Sequence, residues 1–253
     1  MTYYLILFIF FLFIWGFFIE PNLIVMKKYK INDFGNKKIV FISDLHISKF
    51  DKFRLRRIVK LVNRQKPDLV LCGGDFVKGH NGKTGMPINK IVEELKNINA
   101  PIITVLGNHD GRFDKYTVKK ELEKADIKVL INSCTKFEDI YIAGVDDLKT
   151  GIPNIETSLE NAEFPRILIT HNPDIYYDIK EDVDLILAGH VHGGQVRIPF
   201  IGALIVPSKL GTEFSCGDFN KTGNRMIVTK GLGTSILNVR FCCLPEIVII
   251  EGN

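Results

Sequence analysis

The sequence predicts an α/β protein with a second β-sheet packed against the first and one apolar helix ahead of both. Three observations carry this prediction. Short apolar runs alternate with helix-patterned stretches through the first half of the chain. Strand-like segments separated by Gly and Pro dominate the second half. Residues 1–19, MTYYLILFIFFLFIWGFFI, contain no charged side chain. Nothing after that run reads as a repeat, a low-complexity tract or a boundary, so the rest of the 253 residues is expected to form one large domain.

As a helix the apolar run would extend roughly 28 Å, at about 1.5 Å per residue, and a bilayer core is about 30 Å thick. Tyr3, Tyr4 and Trp15 can lie toward the interfaces. The run lacks the basic start and the A-x-A end of a cleaved signal peptide. A retained transmembrane anchor is therefore expected over 1–19, followed by a linker over 20–36 and the folded domain over 37–253. Lys27, Lys28, Lys30, Lys37 and Lys38 follow the anchor. By the positive-inside rule they put the domain on the cytoplasmic side of a cell inner membrane, in a single-pass topology.

Within the domain, KIVFIS, LVLCGG and IITVLG read as strands, with helices expected near 53–65 and 88–98 between them. ILIT and LILAG continue the series, and YIAGV, RMIVTKGLG and PEIVII add later strands. In FRLRRIVKLVNRQK, Leu55, Ile58, Val59 and Val62 recur at helical spacing. Arg54, Arg56, Arg57, Lys60, Arg64 and Lys66 fill the other faces. They form either a solvated helix face or a surface attracted to anionic headgroups beside the anchor.

A formal charge of +4 is mild and implies no nucleic-acid partner. No protein partner is implied either. Cys72, Cys134, Cys216, Cys242 and Cys243 are odd in number and form no C-x-x-C, which fits a reducing compartment rather than a disulfide framework.

The apolar runs end in polar residues: Asp44 and His46, Asp75, Asn108 with His109 and Asp110, His171, and His190 with His192. Singly, such residues cap helices or make turns. Together they hold five of the six histidines, and strand carboxyl ends converge on one edge of an α/β sheet. Two carboxylates, four imidazoles and an amide oxygen suit Mn, Fe, Zn or Co better than Ca or Mg. They are too many for one tetrahedral ion, so two divalent ions sharing a bridging carboxylate are expected. In LAGHVHGGQ, extended backbone would point His190 and His192 the same way.

The series DLH, GGD, GNHD, a lone His and GHVH, in this order, resembles the calcineurin-like metallophosphoesterase family over roughly residues 37 to 251. GHVHGGQVRIP and GLGTS…RF…PEIVI are similar to its bacterial membrane-associated branch. That branch includes UDP-2,3-diacylglucosamine pyrophosphatases of lipid A synthesis and phosphodiesterases. The resemblance implies a two-sheet β-sandwich flanked by helices. It implies that Asp44, His46, Asp75 and His192 hold one metal, that Asp75 bridges, and that Asn108, His171 and His190 complete the other. His190 and His192 would then serve different ions, with Gly189 allowing close approach and Gly193 and Gly194 making a turn. A metal-activated hydroxide would attack phosphorus while His109 protonates the leaving oxygen. Asp110 would hold the His109 imidazole or cap the next turn.

Arg197 and Arg240 are candidates for substrate phosphate contacts. His80, in a Gly-rich loop, is a further candidate or a plain surface histidine. The anchor and the basic stretch favour a phosphorylated lipid at the membrane, such as UDP-2,3-diacylglucosamine. Soluble nucleotides or other phospholipids are the alternative substrates. A non-catalytic scaffold of the same fold is the alternative of another class, and the intact ligand set with His109 counts against it.

Overall fold

The computed structural model describes residues 2–79 and 85–252. In chain order, β1 (Val25–Lys30), β2 (Lys38–Ile42), β3 (Leu69–Cys72), β4 (Ile102–Thr104) and β5 (Lys128–Val129) build one sheet. Strands β6 (Ser133–Phe137), β7 (Ile140–Gly144), β8 (Arg166–Thr170) and β9 (Leu185–Ala188) build the other. A small hairpin follows, β10 (Arg197–Ile198) and β11 (Gly202–Ala203). Strands β12 (Gly217–Asn220) and β13 (Arg225–Val228) return to the second sheet, and β14 (Glu246–Glu251) returns to the first. The helices are α1 (Thr2–Ile14), α2 (Lys52–Arg64), α3 (Ile88–Leu95), α4 (Asn108–Glu123) and α5 (Ile155–Leu159).

The first sheet has the order β1-β14-β2-β3-β4-β5 and the second β12-β13-β9-β8-β7-β6. Strands β2 to β5 are mutually parallel, as are β7, β8, β9 and β13. Such strands are buried on both faces, which is why they read as unbroken apolar runs. Their alternation sorts the core into layers. Ile39 and Phe41 of β2 turn inward against Ile142, Ile167 and Leu187 of the second sheet. Val40 and Ile42 turn outward against Leu55 and Ile58 of α2 and Ile91 of α3. The far face of the second sheet is covered by Leu159 at the end of α5, by Tyr176 and by Phe214. The expected sandwich is present, with long helices on one side and short elements on the other.

Two expectations change in detail. Residues 20–36 are more than a linker, because Val25–Lys30 lie parallel to β14 as the edge strand of the first sheet. Lysines on an exposed edge hide such a strand from an apolar-run search. PEIVII is indeed a strand, but it joins the first sheet, antiparallel to β2, rather than the second.

Thr2–Asn22 is helical throughout, with mean hydropathy 2.3, and is long and apolar enough to cross a membrane. No residue of α1 is buried. Its base is tied to the domain. The Arg240 N–H donates to the Gly16 carbonyl at 2.9 Å. Glu20 is buried and accepts from Trp15 Nε1 at 2.7 Å and from the Cys243 N–H. The basic helix α2 is partly used by the fold. Arg54 is held by the Leu45 and Leu232 carbonyls, and Arg56 pairs with Glu94 at 3.0 Å. Arg57 reaches the Asn22 carbonyl at 2.9 Å, at the base of the apolar helix.

Candidate metal centre

Five of the parallel strands, β2, β3, β4, β8 and β9, deliver polar residues just beyond their carboxyl ends. Asp44 and His46 follow β2, Asp75 follows β3, and Asn108 and His109 open α4 after β4. His171 follows β8 and His190 follows β9, so both sheets contribute to one site. All seven expected ligands and His109 are buried. Asp44, His46, Asp75, His190 and His192 have φ between 42° and 70°, in the left-handed region. That region is uncommon for side-chain-bearing residues, and its clustering here marks a site held against local preference.

The expected ligand atoms form two groups joined by one oxygen. Asp75 Oδ2 lies 3.3 Å from His46 Nε2 and 3.3 Å from His171 Nε2. On one side, His46 Nε2 and His192 Nε2 are 3.1 Å apart, with Asp44 Oδ1 3.5 Å from His192 Nε2. On the other, His171 Nε2 is 3.2 Å from Asn108 Oδ1 and 3.1 Å from His190 Nδ1. The other Asp75 oxygen, Oδ1, accepts the His109 backbone N–H at 2.7 Å, which fixes the carboxylate plane.

The charges are those of a centre shaped for cations. Burial and the Asp75 charge push Asp44 up to about 6, against the attraction of His171. Burial alone would raise Asp75, but His171, His46 and His109 hold it well below the usual carboxylate range. Burial drives His46 down to about 3 and His192 well below its ordinary value, so both rings are neutral at pH 7. Burial opposes a charge on His171 too, yet Asp75 and Asp44 outweigh it and lift that group to about 10.

The residues fit a metal. Two neutral imidazoles meet nitrogen to nitrogen at His46 and His192, and the Nδ1 atom of each is buried without a partner among the described residues. One hydrogen bond could satisfy only one lone pair of that facing couple, whereas a cation takes both. Asp44, His46 and His192 bring ligand atoms within 4.8 Å of one another, as do Asp44, Asp75 and His171.

His190 and His192 do not point alike along a strand. Their φ values of 70° and 52° break the extended backbone, and the turn through Gly193 (φ 64°) sends them to different groups. Gly189 is a close approach: a Cβ there would lie 2.5 Å from Asp44 Oδ2. The His109 ring is oriented from Nδ1, which lies 2.9 Å from the Gly79 carbonyl oxygen.

Asp110 takes the second of its two expected roles: it caps α4 by accepting the Gly107 N–H, and it does not hold His109. Its carboxylate accepts the backbone N–H groups of Asp75, Phe76, Val77 and Gly107 at 2.7 to 3.3 Å. Burial and the Asp75 charge push it up to about 7, while those N–H donors pull it down. Arg240 is fully buried and donates to the carbonyls of Lys230, Gly231, Gly233 and Cys243, so it fastens a loop and offers nothing to a substrate. Arg197 donates to the Gly193 carbonyl at 2.9 Å and braces the turn after His192. His80 lies outside the described residues.

Two cations went unseen in the sequence. Arg112 and Lys149 line a 160 Å³ cavity together with Asp75, Asn108, His109 and His190. Lys149 Nζ donates to the Pro207 carbonyl at 2.8 Å and lies 2.7 Å from His190 Nε2. Arg112 sits two residues past GNHD and was open to notice; Lys149 stands in a loop with no motif around it.

A family model described as calcineurin-like phosphoesterase matches residues 37–194, and the chain belongs to that family. It is a metal-dependent phosphoester hydrolase. The chain is 30% identical to the metallophosphoesterase YkuE of Bacillus subtilis, over 92% of its own length and 86% of the relative's. It is 31% identical to phosphodiesterase YaeI of Escherichia coli, over 92% and 89% of the two chains. A metallophosphoesterase of Aquifex aeolicus is 30% identical, over 84% of each chain.

Proposed function

We propose that the chain is a membrane-anchored phosphodiesterase with a dinuclear centre, most suited to Mn²⁺, that cleaves a phosphodiester or pyrophosphate bond in a lipid-linked substrate. The observation that carries the reading is Asp75 Oδ2, placed 3.3 Å from one imidazole of each ligand group. Asp44, His46 and His192 would hold one ion, Asn108, His171 and His190 the other, and Asp75 both. Two divalent ions in such a centre supply Lewis-acid polarisation of the phosphoryl oxygens and an activated water. The protein's own groups do the rest. His109, oriented through Gly79, donates a proton to the leaving oxygen. Arg112 and Lys149 hold the non-bridging oxygens from the cavity wall.

The name of the Escherichia coli relative supports diester cleavage, and it equally fits a soluble diester. The apolar helix supports a membrane position and hence a lipid-linked substrate. UDP-2,3-diacylglucosamine, a lipid A precursor, is the specific candidate, reached from the cytoplasmic side of the inner membrane. The test is hydrolysis by the purified full chain with Mn²⁺, comparing that lipid in detergent with bis-p-nitrophenyl phosphate. Release of UMP from the lipid is the expected result. Turnover of only the soluble diester would remove the lipid assignment and keep the phosphodiesterase. Bound metal without turnover of either would remove both substrate assignments and revive the scaffold alternative. Digestion of the domain by protease added outside intact cells would overturn the cytoplasmic assignment.

A further inference from the structure

Beside the metal centre runs an apolar groove of 390 Å³, walled by Val191, Val196, Ile205, Val206, Leu237 and Val239. Its volume lies within the about 300–1,000 Å³ of small-molecule sites. It is continuous with the centre, since His192, Pro207, Ser235 and Ile236 line both the groove and the metal-side cavity. A soluble protein seldom leaves such a surface open. Ile205 is 82% exposed and Ile236 86%, and Phe200, Ile201 and Leu204 stand exposed on and beside the hairpin between β10 and β11.

The position of the apolar helix gives this surface an occupant. β14 is antiparallel to β2 and parallel to β1. The amino end of β1 therefore lies at the edge where β2 ends, and that is the edge that carries Asp44 and His46. The helix Thr2–Asn22 enters the domain there. Its base touches the groove wall directly: a Cβ on Gly16 would lie 3.4 Å from Val239 Cγ2. Arg240, next to Val239, is hydrogen-bonded to the Gly16 carbonyl. A bilayer around the helix would thus begin at the mouth of the metal centre, beside the exposed apolar side chains.

We infer that the groove is an acyl-chain subsite: the hydrocarbon tail of a lipid phosphodiester lies along Val196, Ile205 and Leu237 while its phosphate reaches the metal centre. The exposed apolar residues of the hairpin sit in the bilayer and let the tail pass without crossing water. This rests on the phosphodiesterase reading above and names the part of the substrate that is held.

Two alkyl p-nitrophenyl phosphates test it, one ethyl and one hexadecyl, with the same phosphorus and the same leaving group. The full chain in detergent micelles with Mn²⁺ is expected to prefer the hexadecyl ester at least tenfold in kcat/KM. Val196→Trp, which fills the groove, and Ile205→Asp, which charges its rim, are expected to reduce that preference to near unity. A preference unchanged in both variants, or absent in the parent, would overturn the subsite while ethyl ester turnover keeps the phosphodiesterase. Failure to cleave either ester would sink both readings. Independently of turnover, hexadecyl phosphate with a diazirine at the chain end should photolabel peptides spanning 196–206 and 236–239 in metal-free protein. Labelling confined to the apolar helix would overturn the proposal.

Discussion

The Asp110 carboxylate accepts the backbone N–H of Asp75 at 2.7 Å, so one acid outside the expected ligand set holds the backbone of another that is central to it. Asp110→Asn would turn an amide N–H₂ toward two of the four backbone donors. At about 1–3 kcal/mol for each orphaned buried donor, the loss comes to ~4 kcal/mol. The expected outcome is a lowered melting temperature together with reduced metal content. If the role of Asp110 were to hold the His109 imidazole, turnover would fall with melting and metal content unchanged.

His109 is the proton donor in the proposed reaction, so its removal should depend on the leaving group. His109→Ala is expected to keep its metal yet lose about 10²–10⁴-fold in kcat on a diester with an alkyl leaving group. The loss should be much smaller on a p-nitrophenyl ester, whose leaving group departs without a proton. Equal losses on both esters would show a general disturbance instead of acid catalysis, and metal analysis of the variant separates the two.

Arg112 and Lys149 face the same small cavity as the metal-side residues. A charge-assisted hydrogen bond contributes about 1.5–3 kcal/mol, or about 10- to 150-fold in kcat/KM. Arg112→Ala and Lys149→Ala are each expected to lose that much on a soluble diester while keeping bound metal. Wild-type kcat/KM in both variants would remove these side chains from the phosphate site.

The site was more legible in the sequence than its supports were. The candidate ligand positions stand out because a parallel α/β sheet puts polar residues after apolar strands, and that order survives in one dimension. The Asp110 role does not, because an aspartate two residues after Asn108 reads equally as catalytic or as a cap until its four donors are seen. Arg240 misleads for a related reason: a fully buried guanidinium satisfied by carbonyls looks, in sequence, like one kept for a phosphate. The strand β1 was missed because its lysines suit an exposed edge, and Lys149 because a lone cation in a loop carries no pattern. The groove beside the centre arises from segments around 191–206 and 235–239, separate in sequence and joined only by folding.

The joining role of Asp75 sets the last expectation. Removing metal leaves Asp44 and Asp75, two buried carboxylates, without the cations their surroundings are shaped for. Metal at a hundred times its dissociation constant would stabilise the fold by about 2.7 kcal/mol, so chelation should lower the melting temperature of the parent. Asp75→Asn weakens the link between both ligand groups. It should bind little metal, melt at the same temperature with and without chelator, and hydrolyse no diester. Since carboxylates and imidazoles bind metal only when deprotonated, affinity in the parent should weaken as pH falls. A titration of metal-free protein with Mn²⁺ at two pH values checks the sign: tighter binding at the lower pH, or full metal occupancy in Asp75→Asn, would refute the shared carboxylate.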